Sequence, residues 1–64
     1  IISVGAKVGV IREPNFGKLG MVSALPSKLY VMKTETKVRV AEVTFDDGRK
    51  EIIPRTNLEV IISE

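Results

Sequence analysis

Residues 5–25 read GAKVGVIREPNFGKLGMVSAL and contain the clearest structural pattern of this 64-residue chain. Val8 and Val10 alternate with Lys7 and Gly9, which is the period of two expected of a strand with one buried face. A proline then interrupts the pattern, and proline has no backbone N–H to donate to a sheet. An apolar run of extended type follows the interruption. The stretch therefore predicts two strands joined by a proline-containing loop.

The glycine and apolar positions of this stretch follow a fixed spacing: Gly5-x-x-Val8-x-Val10-Ile11, five residues, then Gly17-x-x-Gly20-x-Val22. This spacing resembles the KOW motif of ribosomal proteins and of NusG-type transcription elongation factors. The resemblance implies an all-β fold, namely a small five-stranded Src-homology-3-like (KOW-type) barrel with a short 3₁₀ turn before the last strand.

The loop departs from the KOW pattern in one respect. Glu13 and Pro14 stand where that family commonly has a glycine before the loop aromatic. They replace a flexible, neutral loop with a stiffer, partly acidic one, which disfavours nucleic-acid contact by this loop. The resemblance implies a fold more strongly than a function, because barrels of this type bind RNA, proteins or neither.

The bulk properties indicate one domain over residues 1–64. Ten basic and eight acidic residues give a net charge of +2, which is too balanced to indicate nucleic acid from composition alone. The chain has no cysteine, which excludes disulfides and fits a reducing cytoplasm, the expected location. No run approaches the ~20 apolar residues of a membrane-spanning helix, so no membrane partner is expected. The start at Ile1 rather than methionine predicts a fragment of a longer protein.

The middle of the chain is predicted to contain a loop followed by a long strand. Residues 26–36 are interpreted as a loop that packs Leu29 or Met32 onto the core, with a strand or one helical turn as the alternatives. Residues 37–45 form the longest predicted strand. Its valines change phase along the run, and a one-residue slip exchanges the two faces of a strand. A bulge or sharp bend is therefore expected near Ala41-Glu42.

The end of the chain predicts a hairpin, a short turn and a last strand. Asp47-Gly48 is a strong hairpin signal, and Pro54 to Asn57 suits one 3₁₀ turn. The apolar run over residues 58–62 is expected to pair with the beginning of the chain, so that each protects the other's edge. The alternative is weak self-association through the terminal isoleucines, Ile1, Ile2 and Ile61.

Catalysis is not expected. The chain has no histidine or cysteine, so Ser-His and Cys-His nucleophile pairs are excluded. Asp46 and Asp47 belong to a hairpin tip and are too few for a metal site, so no metal or cofactor is expected. Gly17 and Gly20 are interpreted as turn glycines, because a phosphate cradle requires a helix to follow.

Six residues are the candidates for a partner- or RNA-binding site. They are the loop residues Arg12, Asn15, Phe16 and Lys18, and the turn residues Arg55 and Asn57. In the expected barrel both segments lie near one end, where they would present cationic groups, amides and one ring. For Phe16 the alternative is a ring folded back into the core. For the two turn residues it is a structural role, with the Asn57 side chain capping the turn.

Two functions follow from these residues. The first is a non-catalytic module that docks another protein or a neighbouring domain of its parent chain. The second is an RNA-binding module of the translation or transcription apparatus, as the KOW resemblance implies. Balanced charge, the acidic loop and the apolar ends favour the first.

Overall fold

The structure, a computed structural model, describes residues 2–27, 29–31 and 37–61. Over these residues the chain forms, in order, β1 (Lys7–Val10), β2 (Leu19–Ala24), β3 (Tyr30–Val31), β4 (Lys37–Val38), β5 (Val40–Phe45), β6 (Lys50–Pro54), a 3₁₀ turn (Arg55–Asn57) and β7 (Leu58–Val60). The described residues contain no α-helix, and thus no helix suited to crossing a membrane. The predicted all-β class and the 3₁₀ turn before the last strand are confirmed.

Five of the strands form one antiparallel sheet in the order β6-β5-β2-β1-β7, whereas β3 and β4 pair with each other. Among the described strands, β6 and β7 have one partner each and do not pair together, so the sheet is open. Closure of the predicted barrel is not observed. β6 ends at Pro54, which has no N–H for a further ladder bond, and the 3₁₀ turn carries the chain around to β7.

The core lies on the inner face of the five-stranded sheet. It is built by apolar side chains that are almost fully buried: Val8, Val10, Val22, Ala41, Val43, Phe45, Ile53 and Leu58. Cross-strand neighbours such as Val10 and Leu58, or Val22 and Val43, face each other in register. Burial of one such side chain contributes about 1.5–3 kcal/mol, so the inner face is the main source of stability.

The predicted long strand over residues 37–45 is broken at Arg39, between β4 and β5. Val40 and Ala41 are both buried, which accounts for the change of phase in the sequence. The register irregularity lies on the neighbouring strand instead, where Ser23 is an extra residue of β2 opposite Glu42 and Val43. The predicted bulge is therefore near the right level of the sheet but on the wrong strand.

The segment after β2 differs from its prediction. Tyr30 and Val31 pair with Val38 and Lys37, so this part is a short strand rather than a loop. The Leu29 side chain is 47% exposed, so Leu29, one of the two residues expected to pack onto the core, does not do so. β3 and β4 form a two-stranded ribbon that is not hydrogen-bonded into the five-stranded sheet. Met32, the other residue of that prediction, lies outside the described residues.

The last strand pairs with β1 and not, as predicted, with the residues at the very beginning of the chain, since Ile2 and Ser3 belong to no strand. β7 lies antiparallel to β1, and the Ile61 N–H donates to the Lys7 carbonyl at 2.8 Å. Ile2 packs against the core. Ile1 and Ile62 lie outside the described residues.

Candidate binding groove

The loop between β1 and β2 has a hydrogen-bonded backbone. The Val10 N–H donates to the Lys18 carbonyl at 2.9 Å, and the Gly17 N–H returns to the Val10 carbonyl at 2.8 Å. Gly17 has a φ of 87°, a conformation that residues with a side chain rarely adopt. The Glu13–Pro14 peptide bond is cis. The two backbone hydrogen bonds give the loop a defined path from β1 to β2.

Three hydrogen bonds tie this loop to the far end of the chain. The Ile11 N–H donates to the Asn57 carbonyl at 2.8 Å. Two longer bonds join side chains: Arg12 Nη1 to Asn57 Oδ1 at 3.4 Å, and Asn15 Nδ2 to Glu51 Oε1 at 3.3 Å. The backbone bond is the strongest of the three by its length, and the side-chain bonds lie at the weak end of the usual range. These bonds connect the β1–β2 loop to the 3₁₀ turn and to β6.

A groove of about 180 Å³ remains between the loop and β6. Its apolar lining consists of Val10, Pro14, Ile52, Ile53 and Pro54, and its polar lining of Arg12, Glu13, Asn15, Glu51 and Asn57. An apolar concave surface with a few polar groups is the usual composition of a recognition site. Its volume is below the ~300 Å³ at which small-molecule pockets begin, so it suits one or two side chains better than a cofactor.

The structure brings three of the six candidate residues together and separates the rest. Arg12, Asn15 and Asn57 line the groove, whereas Phe16, Lys18 and Arg55 do not. The Phe16 ring is 66% exposed, so its alternative placement in the core is wrong.

The Arg55 side chain has a structural role. Its Nε donates to the Val40 carbonyl at 2.9 Å, and its Nη2 reaches the Pro26 carbonyl at 3.4 Å. Its backbone N–H also donates to the Arg39 carbonyl at 3.0 Å. The guanidinium thus fixes the 3₁₀ turn to β5, and the structural alternative considered for Arg55 is the one observed.

The Asn57 side chain does not cap the turn. The 3₁₀ turn has no side-chain cap, and the Leu58 N–H closes it by donating to the Arg55 carbonyl. Asn57 instead accepts from Arg12 through its side chain and from Ile11 through its backbone. Its role is to join the turn to the first loop at the rim of the groove.

Sequence reasoning missed the β6 side of the groove, formed by Glu51 to Pro54. Ile52 is 43% exposed and stands beside two prolines. One signal was present: Glu51 shares the phase of the buried Ile53, and a charged residue in the phase of a buried one indicates a partner that covers it. The partners of Glu51 are Asn15, at 3.3 Å, and Arg49, at 3.6 Å.

A second depression lies beside the last residue of β5, Phe45. Lys18, Leu19, Phe45, Asp46 and Asp47 line its volume of about 230 Å³. Lys18 Nζ lies 5.6 Å from the centre of the Phe45 ring, and Arg49 Cζ lies 6.0 Å from it. Phe45 is buried, so it offers no free ring face on which a base could stack.

The hairpin after β5 contains the clearest charge interaction. The Arg49 backbone N–H donates to Asp47 Oδ1 at 2.9 Å, and the Arg49 guanidinium donates to Asp47 Oδ2 at 3.0 Å. Together they lower the pKa of Asp47 from its ordinary 3.8, with the backbone bond as the larger cause. Because the pKa is lowered on folding, the carboxylate stabilises the hairpin above the unfolded-state pKa. This stabilisation is lost as the pH falls through the lower, folded-state value.

We expect Arg49→Ala to return the pKa of Asp47 only part of the way to 3.8, because the backbone donor stays in place. An NMR titration of the Asp47 carboxyl carbon measures this. A complete return would assign the shift to the guanidinium, and an unchanged pKa would show that the side-chain bond has no effect on the carboxyl.

Within residues 2–27, 29–31 and 37–61, no three carboxylate, histidine or cysteine side chains come together as metal ligands would. Comparison of the chain with protein-family models, curated proteins and solved structures found no match. The groove and its chemistry are therefore the basis for assigning a function.

Proposed function

We propose that this chain is a non-catalytic binding module that docks an extended segment of another protein, or of a neighbouring domain of its parent chain, in the groove between the first loop and β6. We also propose that the fold is a Src-homology-3-like barrel of KOW type. Five antiparallel strands and a 3₁₀ turn before the last strand support this assignment. In it, the first loop and the turn cover the open side of the sheet, and the groove lies between them and β6.

The groove is the observation that carries the proposal. The exposed Ile52 lines the groove together with Pro14 and Pro54, and the outer edge of β6 pairs with no described strand. An extended segment gains main-chain hydrogen bonds from an unpaired strand edge and specificity from a neighbouring pocket. The unpaired edge of β6 and the groove are adjacent here, which is the arrangement that such a segment requires.

The distribution of positive charge supports protein over RNA. Arg49 contacts Asp47 at 3.0 Å and Glu51 at 3.6 Å, and Lys50 Nζ lies 3.9 Å from Glu42 Oε1. Arg39 and Arg55 donate to backbone carbonyls. RNA binding requires cations that converge on neighbouring phosphates. In the described part of the chain these cations are dispersed and partnered.

One observation favours RNA as a second candidate. The exposed Phe16 ring lies two residues from Lys18, and an unpaired base would stack on such a ring beside a cation. A single ring and a single neighbouring lysine provide fewer contacts than single-strand binders usually have. Protein docking therefore remains the better-supported function.

Selection from a library of short random peptides tests the docking proposal. We expect wild-type protein to enrich peptides that bind the groove, and Ile52→Asp to weaken them by about tenfold or more, because it places a carboxylate in the apolar lining. Fluorescence polarisation with a selected peptide gives both affinities.

Met21→Asp is the matched control for this experiment. Met21 is 51% exposed on β2 and outside the groove lining, so the same change there should leave the affinity within about twofold. Equal losses in the two variants, or no enrichment by the wild type, would refute docking in this groove.

Titration with single-stranded and structured RNA at several salt concentrations tests the second candidate. On the docking proposal, no binding is expected even at low salt. Binding with a salt slope of about −0.7 per neutralised phosphate, reduced by Arg12→Ala and by Lys18→Ala, would favour RNA instead.

A further inference from the structure

We infer that Arg12 selects the docked segment by pairing with a carboxylate, so that the preferred partner has an acidic side chain next to the apolar side chain that enters the groove. This inference rests on the proposed function and specifies the partner of the same site. It follows from the hydrogen bonds of the four arginines and from the place of Arg12 in the groove lining.

Arg12 differs from the other arginines in its partners. Arg49 pairs with carboxylates, and Arg39 and Arg55 donate to backbone carbonyls. Within the described residues, Arg12 contacts no carboxylate within 4 Å, and its side-chain hydrogen bond is one long contact of 3.4 Å to the neutral Asn57 amide. A guanidinium has five N–H donors, so most of its capacity is available at the rim.

Asn57 positions this guanidinium. The Asn57 backbone is anchored by the 2.8 Å bond from the Ile11 N–H, and its Oδ1 holds Arg12 beside the groove. An incoming carboxylate would accept two parallel hydrogen bonds from the Arg12 guanidinium. Such bonds are typically about 2.7–2.9 Å long and are stronger than a bond to an amide. Arg12 is therefore positioned at the rim of the groove, where it can bind a planar anion such as a carboxylate.

The β6 side of the groove has a carboxylate in place of a guanidinium, and Glu13 adds a second carboxylate to the lining beside Arg12. Glu51 lies on β6, where Asn15 donates to it at 3.3 Å and Arg49 lies at 3.6 Å. A carboxylate of the docked segment on that side would meet a like charge, whereas on the Arg12 side it meets the guanidinium. The Arg12 guanidinium is therefore the lining group that would attract an acidic residue of the segment, which places that residue on the Arg12 side of the apolar one.

Peptide selection with charge-reversed variants tests the inference. The library is screened against the wild type, Arg12→Glu and Lys7→Glu. Lys7→Glu is the control, because it makes the same charge change at an exposed position of β1 outside the groove lining. We expect Asp and Glu beside the apolar position in wild-type and Lys7→Glu peptides, and Lys or Arg there in Arg12→Glu peptides.

A selected peptide and its Glu→Gln variant give the magnitude. With wild-type protein, the Gln peptide should bind about tenfold more weakly, and with Arg12→Gln the two peptides should bind alike. Groove-dependent peptides with the same acidic frequency in all three screens would refute selection by Arg12 and leave docking in place. No groove-dependent peptide at all would refute both, so the two failures are distinguishable.

Discussion

Gly20→Ala is expected to destabilise the protein by about 3 kcal/mol, the upper end of the usual cost of overpacking. A β-carbon at this buried position would lie 2.7 Å from the Thr44 carbonyl oxygen and 2.7 Å from Val43 Cγ1. The oxygen belongs to the backbone of β5, which pairs with β2 at this level, so relief requires separation of the two strands. Urea denaturation measures the loss as a lower midpoint at an unchanged slope.

Gly9→Ala is the matched control, since it makes the same change in the adjacent strand. There the β-carbon would lie 3.4 Å from Leu19 Cδ2 and 3.6 Å from Ile61 Cδ1, both at the ends of side chains. We expect a change within about 1 kcal/mol, because alanine also lowers the entropy of the unfolded chain. Equal effects of the two substitutions would contradict the close packing of β2 against β5.

Phe45→Ala is expected to cost about 3–5 kcal/mol, the usual loss for a buried phenylalanine. A domain of 64 residues has a total stability of roughly 3–10 kcal/mol, so the loss is a large fraction of the total and, at the lower end of that range, unfolds most molecules at room temperature. The ring is 5% exposed, and its removal also takes away the contacts of Lys18 and Arg49. Thermal denaturation followed by circular dichroism measures the effect.

Phe16→Ala tests the difference between the two phenylalanines. Because the Phe16 ring is mostly exposed, its removal should change stability by no more than about 0.5 kcal/mol. A loss as large as that of Phe45→Ala would mean that Phe16 belongs to the core after all.

The parts of the fold that depend on local chemistry were predictable from the sequence. Period-two valines, the proline in the first loop and the Asp47-Gly48 turn predict the strands and hairpins where the structure has them. In that hairpin the Phe45 N–H donates to the Arg49 carbonyl, and Gly48 has the positive φ that the turn requires. Each of these signals lies within a few residues of the feature that it determines.

The parts that depend on contacts between distant segments were not predictable in the same way. The extra residue of β2, Ser23, follows from its register against β5, which no local pattern contains. Arg55 was a candidate binding residue because it is cationic and lies in a turn. Its guanidinium instead donates to the carbonyls of Val40 and Pro26. Four of the ten residues that line the groove come from β6, and a long-range hydrogen bond between Asn15 and Glu51 joins that strand to the first loop.

Backbone amide chemical shifts of the labelled protein, followed while a selected peptide is added, locate the docked segment most directly. We predict that the largest changes fall on the two sides of the groove, at Asn15, Ile52 and Ile53. Changes centred instead on Lys7 and Met21 of the outer face would show that the segment docks elsewhere and that the groove is not the binding site.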